Sequence, residues 1–567
     1  AIVTDKAFDD VETEAKYCYT WNYTNDSEKN MSDRQLTKKS EKIQNILTES
    51  GLLTDYVLQR DNQAINFTGE DMGGDMVMVM VLLYIVMAII AFVFGITTRN
   101  TIEQEAGAIG TLRASGYTKQ EMVRHYFVLP ALITFIAAVI GNILGYTVMK
   151  FYVASMYYGS YSLPTYVTKW NADAFILTTV IPCIIVFVVT LIVLNVSLRI
   201  SPLQFLRHDL KKNKKSKVVK LPNFKFKTRL RIIFQNTSTY ITLFLGILFA
   251  SVLLMFGMMM SPLLTNFKDR VLDSKIANYQ YILKAPIEVD DKDTEKYAVS
   301  ALNTTDSEEE ITIYGVNEDS KYINTKNIPD TRNQVLVSKG YMEKYGLKEN
   351  QTIELKEKFG SKKYKFTIKG TYIYPASLCI FMTRENFNKV FDKDKDYFCG
   401  YFSNKKLDID DMYVASIITE KDLTVMSDQL EDSMGQAFYL FWGFATLIYI
   451  IVIYILAKMI IEKNKQSISM IKILGYTDKE VSSLYNIATA IIVIASMIIC
   501  VPISEYIIKY IYYVMMKDFN GWLDYYIAPW IYPGMVLIGV VCYFVVHIIQ
   551  MKKIKKIPME QALKNVE

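Results

Sequence analysis

Residues 102–133, IEQEAGAIGTLRASGYTKQEMVRHYFVLPALI, and residues 461–492, IEKNKQSISMIKILGYTDKEVSSLYNIATAII, align without a gap. The pairs Ile102/Ile461, Glu103/Glu462, Ile109/Ile468, Gly116/Gly475, Tyr117/Tyr476, Thr118/Thr477, Glu121/Glu480 and Tyr126/Tyr485 are identical. Each copy follows one long apolar run and leads into another. A duplicated connector between membrane spans points to a two-fold machine that receives one input on two equivalent handles.

Within the first copy, Ile102, Ile109 and Leu112 recur at helical spacing and form an apolar stripe. Glu103 and Glu105 fall in the first turn and Arg113 in the last, each where the helix dipole favours its charge. Gly116 follows as a residue able to take positive φ. Thr118 and Glu121 then make a T-x-x-E capping box that starts a new helix. In the second copy the stripe is Ile468 and Ile471, Lys472 lies near the end, Gly475 is the turn, and Thr477 and Glu480 make the box. Each unit is stiff at both ends and bends only at its Gly-Tyr-Thr turn, so a push on the short helix passes to the next span. A single amphipathic helix lies as readily on lipid. Duplication with the caps retained favours a docking helix.

Around these units the chain has 567 residues, 51% hydrophobic and 21% charged. That is too apolar for an ordinary soluble enzyme and too charged for a pure membrane bundle. Seven uncharged apolar runs are long enough to cross about 30 Å of hydrocarbon; they lie near 76–97, 126–149, 175–196, 240–260, 438–457, 485–504 and 526–549. The segment 199–231 carries Arg207, Lys211, Lys212, Lys214, Lys215, Lys217, Lys220, Lys225, Lys227 and Arg229 against the single acid Asp209. The tail carries Lys552, Lys553, Lys555 and Lys556. The positive-inside rule puts both in the cytosol. Alternation then puts both connectors inside, and 1–75, 151–174, 261–437 and 509–525 outside. The start of this chain is thus expected outside and its C-terminus in the cytosol. Anionic lipid suffices as partner for the basic linker, so no nucleic acid is expected. An odd span count suggests a truncated chain, in which an upstream span would give each half four.

The spans carry little charge, with Asn142, Asn195 and His547 the main polar exceptions, which argues against an aqueous channel. Gly141 and Gly145 form a G-x-x-x-G, with Cys500 and Ser504 at the equivalent positions, and are expected to pack helices together. Between the fourth and fifth runs, 261–437 is polar and mixed α/β in pattern. Expected there are strands at 334–339, 352–356 and 364–369 and a short helix at 340–345 closed by Gly346; a further helix is expected at 32–50. Asp290, Asp291, Asp293 and the acidic run 306–310 lack the D-x-D-x-D-G order of a calcium loop. The six cysteines lack metal spacing, and three histidines make His-based catalysis unattractive. No G-x-x-x-x-G-K-[ST] occurs, so nucleotide must be held by another chain.

The pattern I-E-x-E-x-x-x-I-G-x-L-R-A-x-G-Y at 102–117 resembles the FtsX-like permease domain of ABC transporters. The likeness continues to SPLQFLR at 201–207 and PMEQALK at 558–564, which resemble the family's P-x-E-A-L-R/K ending. Gln204 and Phe205 depart from it, and the second copy has one extra residue. The run 335–374 resembles the extracytoplasmic core domain of MacB-type permeases. The resemblance implies a membrane α-helical bundle of seven spans and two FtsX-like repeats, with an extracytoplasmic α+β domain. Residues 1–75 would close a first extracytoplasmic region, and 76–210 would be the first FtsX-like domain. A cytosolic linker (211–235), a span (236–260), the MacB-like domain (261–437) and the second FtsX-like domain (438–567) would follow. It also implies that 103–115 and 462–474 contact a cytosolic ABC ATPase dimer. ATP and Mg²⁺ would then be bound by that partner and no cofactor by this chain. Lys465 and Ser469, where the first copy has Ala106 and Gly110, would alter the fit to it. The implied role is a permease subunit in a bacterial plasma membrane that exports or releases a peptide, lipopeptide or lipoprotein. The alternative is a non-transporting regulator of a cell-wall hydrolase or sensor kinase.

Overall fold

The computed structural model describes residues 19–21, 33–50, 56–58, 62–206, 224–305, 309–357, 362–517, 519 and 521–555. The chain divides into two compact units, 1–70 with 357–362, and 71–356 with 363–567. In the smaller unit, helix α1 (Asp33–Ser50) is joined to the chain beyond it by the Ser40 and Tyr56 hydroxyls, 2.8 Å apart.

Among the described residues, seven helices are long and apolar enough to cross a membrane. They fall on the seven apolar runs, because about 20 uncharged residues can only satisfy their backbone as helix inside lipid. The first repeat contains α2 (Gln63–Gln104), the short connector α3 (Ala106–Ala114) and α4 (Lys119–Leu144), which runs through a π-helical stretch (Gly145–Met149) into α5 (Lys150–Ser160). It returns through α6 (Ala172–Phe175), a second π-helical stretch (Ile176–Val180) and α7 (Ile181–Ser197), and ends in α8 (Pro202–Leu206). Helices α9 (Phe224–Gln235) and α10 (Thr237–Asp273) lead out to a sheet domain.

That domain has strands β1 (Tyr279–Leu283), β2 (Glu295–Thr304), β3 (Glu310–Val316), β4 (Gln334–Ser338), β5 (Thr352–Lys356), β6 (Lys363–Tyr372), β7 (Cys379–Thr383), β8 (Gly400–Ser403) and β9 (Val414–Thr419). Two helices, α11 (Lys339–Tyr345) and α12 (Arg384–Val390), pack on them. The sheet order is β3-β7-β4-β6-β5-β2-β8-β1-β9, and β2 also pairs with β3, so six strands close into a ring without a free edge. Gly346 closes α11 in the left-handed conformation at φ +60°. Cys379 and Cys399 are both free, and burial pushes the Cys379 thiol up to about 12.

The second repeat has α13 (Glu420–Lys463), the connector α14 (Lys465–Ile473), α15 (Asp478–Lys517) and α16 (Ile531–Lys555). Helix α10 is the central post: Leu243, Ile247, Ala250, Leu253 and Leu254 are buried in one apolar core with Tyr449, Val452 and Leu456 of α13 and Met497 and Cys500 of α15. The expected helix-packing positions divide here. Cys500 and Ser504 are fully buried. Gly141 and Gly145 touch nothing: a Cβ at either would meet no atom within 4 Å. Among the described residues no helix packs against the G-x-x-x-G, and Gly145 instead begins a π-helical stretch.

Candidate coupling sites

Both connectors are built alike. In the first, Gly116 N–H donates to Arg113 O (3.3 Å) and Tyr117 N–H to Leu112 O (3.1 Å), with Gly116 at φ +103°. In the second, Gly475 N–H donates to Lys472 O (3.0 Å) and Tyr476 N–H to Ile471 O (3.4 Å), with Gly475 at φ +93°. These are Schellman closures, and only glycine takes that φ without strain. Each next helix opens with the expected reciprocal box. Thr118 N–H donates to Glu121 Oε2 (2.7 Å) and Glu121 N–H to Thr118 Oγ1 (3.3 Å). Thr477 N–H donates to Glu480 Oε2 (3.0 Å) and Glu480 N–H to Thr477 Oγ1 (3.4 Å). Two orphan donors are satisfied at each start, so α4 and α15 begin rigidly one residue after the turn glycine's Tyr-Thr pair.

Each connector has an apolar inner face. Ala106 and Ile109 of α3 pack with Met122, Leu194, Leu198 and Phe205, joined by Ile102, which lies in the last turn of α2 and not on the connector. Ile468 of α14 packs with Ile232, Val481, Leu484, Tyr485, Ala488 and Ile554, joined by Ile461 of α13, with Ile471 half-buried beside them. The last-turn cation of each reaches the end of its own repeat's third span. Arg113 Nη1 donates to Leu198 O (3.2 Å) and Ile200 O (2.6 Å). Lys472 Nζ, nearly fully buried, donates to Ile554 O (2.7 Å) and pairs with Asp478 (2.9 Å). Charge-assisted bonds of this kind hold the connector against the bundle as one piece.

Three sequence expectations need correcting. Glu103 and Glu462 are not in a first turn: α2 runs on to Gln104 and α13 to Lys463, so each glutamate ends a span and Glu105 is the residue before α3. They persist in that unfavourable dipole position because cations meet them. Glu103 pairs with Arg99 (3.2 Å) and with Lys463 (3.0 Å); Glu462 pairs with Lys458 (3.3 Å) and accepts from Gln104 Nε2 (2.7 Å). Glu105 Oε2 accepts from Tyr126 OH at 2.5 Å. Leu112 is not part of the stripe but is exposed. Ala106 and Gly110 face inward, so Lys465 and Ser469 bear on packing rather than on an outer surface. A Cβ at Gly110 would lie 2.9 Å from Leu206 N, so glycine there admits α8. Ser201 and Gln204 cap α8 reciprocally at 3.3 Å, so the chain closes a capping box there with a glutamine. The second ending, at 558–564, lies outside the described residues.

The contacts of Glu103 with Lys463 and of Gln104 with Glu462 are reciprocal, since Glu103 is equivalent to Glu462 and Gln104 to Lys463. Reciprocity is the mark of a two-fold axis, here between the repeats. The exposed faces differ: Thr111, Ala114 and Ser115 on α3 stand where α14 presents Met470, Ile473 and Leu474.

Sequence reading missed a latch on the opposite membrane face. Lys344 Nζ of α11, almost wholly buried, donates to Glu309 (2.6 Å), Phe519 O (2.7 Å) and Gly521 O (3.2 Å). Glu309 also accepts from Gly521 N–H (2.8 Å) and Tyr345 OH (2.5 Å). Trp522 lies against Gly340, and Asp524 pairs with Arg270. The loop from α15 to α16 is thereby bonded to the sheet domain. Its members are scattered through the sequence, and no local pattern announces them.

Among the described residues no cluster of His, Cys, Asp or Glu is arranged to hold a metal ion. The family model for the FtsX-like permease C-terminal domain matches this chain twice, at 80–203 and 439–559. Both matches contain a connector with its flanking spans, and together they support an FtsX-like, multi-pass membrane permease. No curated protein matches the chain.

Proposed function

We propose, from two FtsX-like permease domains in one chain, that this protein is the permease subunit of an ABC transporter. A cytosolic ATPase dimer would dock on α3 and α14 and bind ATP and Mg²⁺. Its closure would drive the connectors, and the sheet domain outside would move so as to export or release a peptide, lipopeptide or lipoprotein. The observation that carries this reading is the unbroken path through the second repeat. Connector α14 is fixed to α15 by the Schellman turn and capping box. Helix α15 then runs 40 residues, with Pro502 inside it, to the loop that grips Lys344 and Glu309. A helix of that length spans about 60 Å, more than the bilayer. An amphiphilic cargo is favoured by an apolar cavity of about 410 Å³ between the far ends of α2 and α15, lined by Met76, Met80, Tyr84, Tyr510 and Val514.

The test is co-purification of the full chain with an ATPase, followed by ATP hydrolysis in lipid nanodiscs. Proline at Gly475 cannot take positive φ and removes the N–H that closes α14. G475P is expected to abolish the permease's effect on hydrolysis while the complex still assembles through α3. Unchanged hydrolysis in a doubly substituted G116P/G475P chain would overturn the coupling. Cysteine labelling with an impermeant maleimide at Asn324→Cys and Ser467→Cys fixes orientation: only the first should react from outside.

A further inference from the structure

The seam between the repeats contains a cavity of about 440 Å³, walled by α2, α7, α10 and α13. From Ala91 to Glu103 its α2 wall rises about 18 Å at 1.5 Å per residue, roughly the depth of one leaflet with its headgroups. The deep end is apolar: Ala91, Phe92, Gly95, Ile96, Val189 and Val193. The rim on the connector side is polar and holds Arg99, Asn100, Ser238, Glu103 and Lys463. Glu103 is already met by both cations, at 3.2 and 3.0 Å, so the rim keeps one net positive charge. The Arg99 side chain is 58% exposed and has donors to spare. Helix α9, leading directly into α10, adds Lys227, Arg229 and Arg231 on the same membrane face. A second cavity of about 310 Å³ shares Arg99, Glu103 and Val193 and extends to Ile200 and Phe205, the side chain that backs connector α3.

An apolar shaft one leaflet deep, open beneath a guanidinium and an ammonium, is complementary to one acyl chain under an anionic phosphate. We propose that this cavity binds an anionic phospholipid from the leaflet on the connector side, its phosphate on Arg99 and Lys463. The lipid fills the seam that the repeats leave unpacked and reaches the wall behind α3. A zwitterionic lipid places the same chain there, but its own cation meets the rim's positive charge.

Native mass spectrometry of the full chain tests this, with phosphatidylglycerol and phosphatidylcholine of identical chains supplied in turn. One phosphatidylglycerol per chain should be retained in preference to phosphatidylcholine. Arg99→Gln should weaken phosphatidylglycerol retention about fivefold, the factor expected of one basic residue at an anionic surface, and leave phosphatidylcholine unchanged. Thr242 of α10 also lines the cavity, and Thr242→Trp, filling it, should abolish retention of both; should it fail to fold, Arg99→Gln on the exposed rim still decides. Glycerol phosphate without chains should not displace the lipid. Equal retention of the two lipids, an unchanged Arg99→Gln, or displacement by glycerol phosphate overturns the proposal. The readout needs neither ATPase nor cargo, so its failure leaves the coupling reading standing, and failure of coupling leaves this site standing.

Discussion

Behind connector α3 the chain that follows the third span folds back, with Phe205 wedged beneath Ile109 and Leu206 against Gly110. Behind α14 sit Ile232 of α9, which precedes the repeat, and Ile554 at the end of α16. The differences continue through the membrane. In the first repeat α4 and α7 are each broken by a π-helical stretch, and Asn142 of α4 bonds Thr179 in the other stretch. In the second repeat α15 is continuous, packed on α10 and latched to the sheet domain. Two copies of one motif thus sit in unequal surroundings. The connector is specified locally by its glycine and caps, whereas its packing is set by what surrounds it. π-Helical stretches are rare irregularities, found mostly at functional sites. The first repeat thus carries two such stretches, whereas the second has a continuous α15 with Pro502 inside it.

The largest test removes the latch from the second repeat. Lys344→Met leaves Glu309 buried without its cation and should cost about 3–5 kcal/mol, read as a lower melting temperature of the purified chain. If the sheet domain keeps its melting point, the second repeat is no more tightly joined than the first. Next, the two clamping cations can be compared directly. Lys472→Met, at a buried site, should cost about 2 kcal/mol, and Arg113→Met, half-buried, about 1 kcal/mol; equal losses would remove the asymmetry of the connectors. Gly116→Ala and Gly475→Ala should each cost about 1–2 kcal/mol, because a left-handed residue acquires a Cβ. Those losses should match, since neither site has a neighbour for the methyl group to strike. Thr118→Ala and Thr477→Ala should have the smallest effect, about 1 kcal/mol each, seen as faster amide exchange in the first turns of α4 and α15.

What the sequence disclosed was local in origin. Span positions follow from uncharged length, the turns at Gly116 and Gly475 from backbone sterics, and the boxes at Thr118 and Thr477 from three-residue spacing. The strand at 352–356 was legible from alternation; that expected at 334–339 ends one residue earlier, at Ser338, and that expected at 364–369 runs from Lys363 to Tyr372. What stayed hidden depends on residues far apart. Glu103 was assigned to the connector because an acid suits a helix start; Lys463, from the other repeat, lets α2 carry it in its last turn. Gly141 and Gly145 looked like a packing surface because spacing records small residues but not whether another helix is present. The Lys344–Glu309 latch joins β3's approach, α11 and the α15–α16 loop, and only the folded chain brings these together.

The reciprocal pairs at the seam, Glu103 with Lys463 and Gln104 with Glu462, are partly exposed and would be feeble glue between separate subunits. Covalent continuity changes that arithmetic, because a tethered partner is present at an effective concentration in the millimolar range. Polar contacts of this kind can part and re-form without the halves diffusing away, and their stoichiometry stays fixed at one to one.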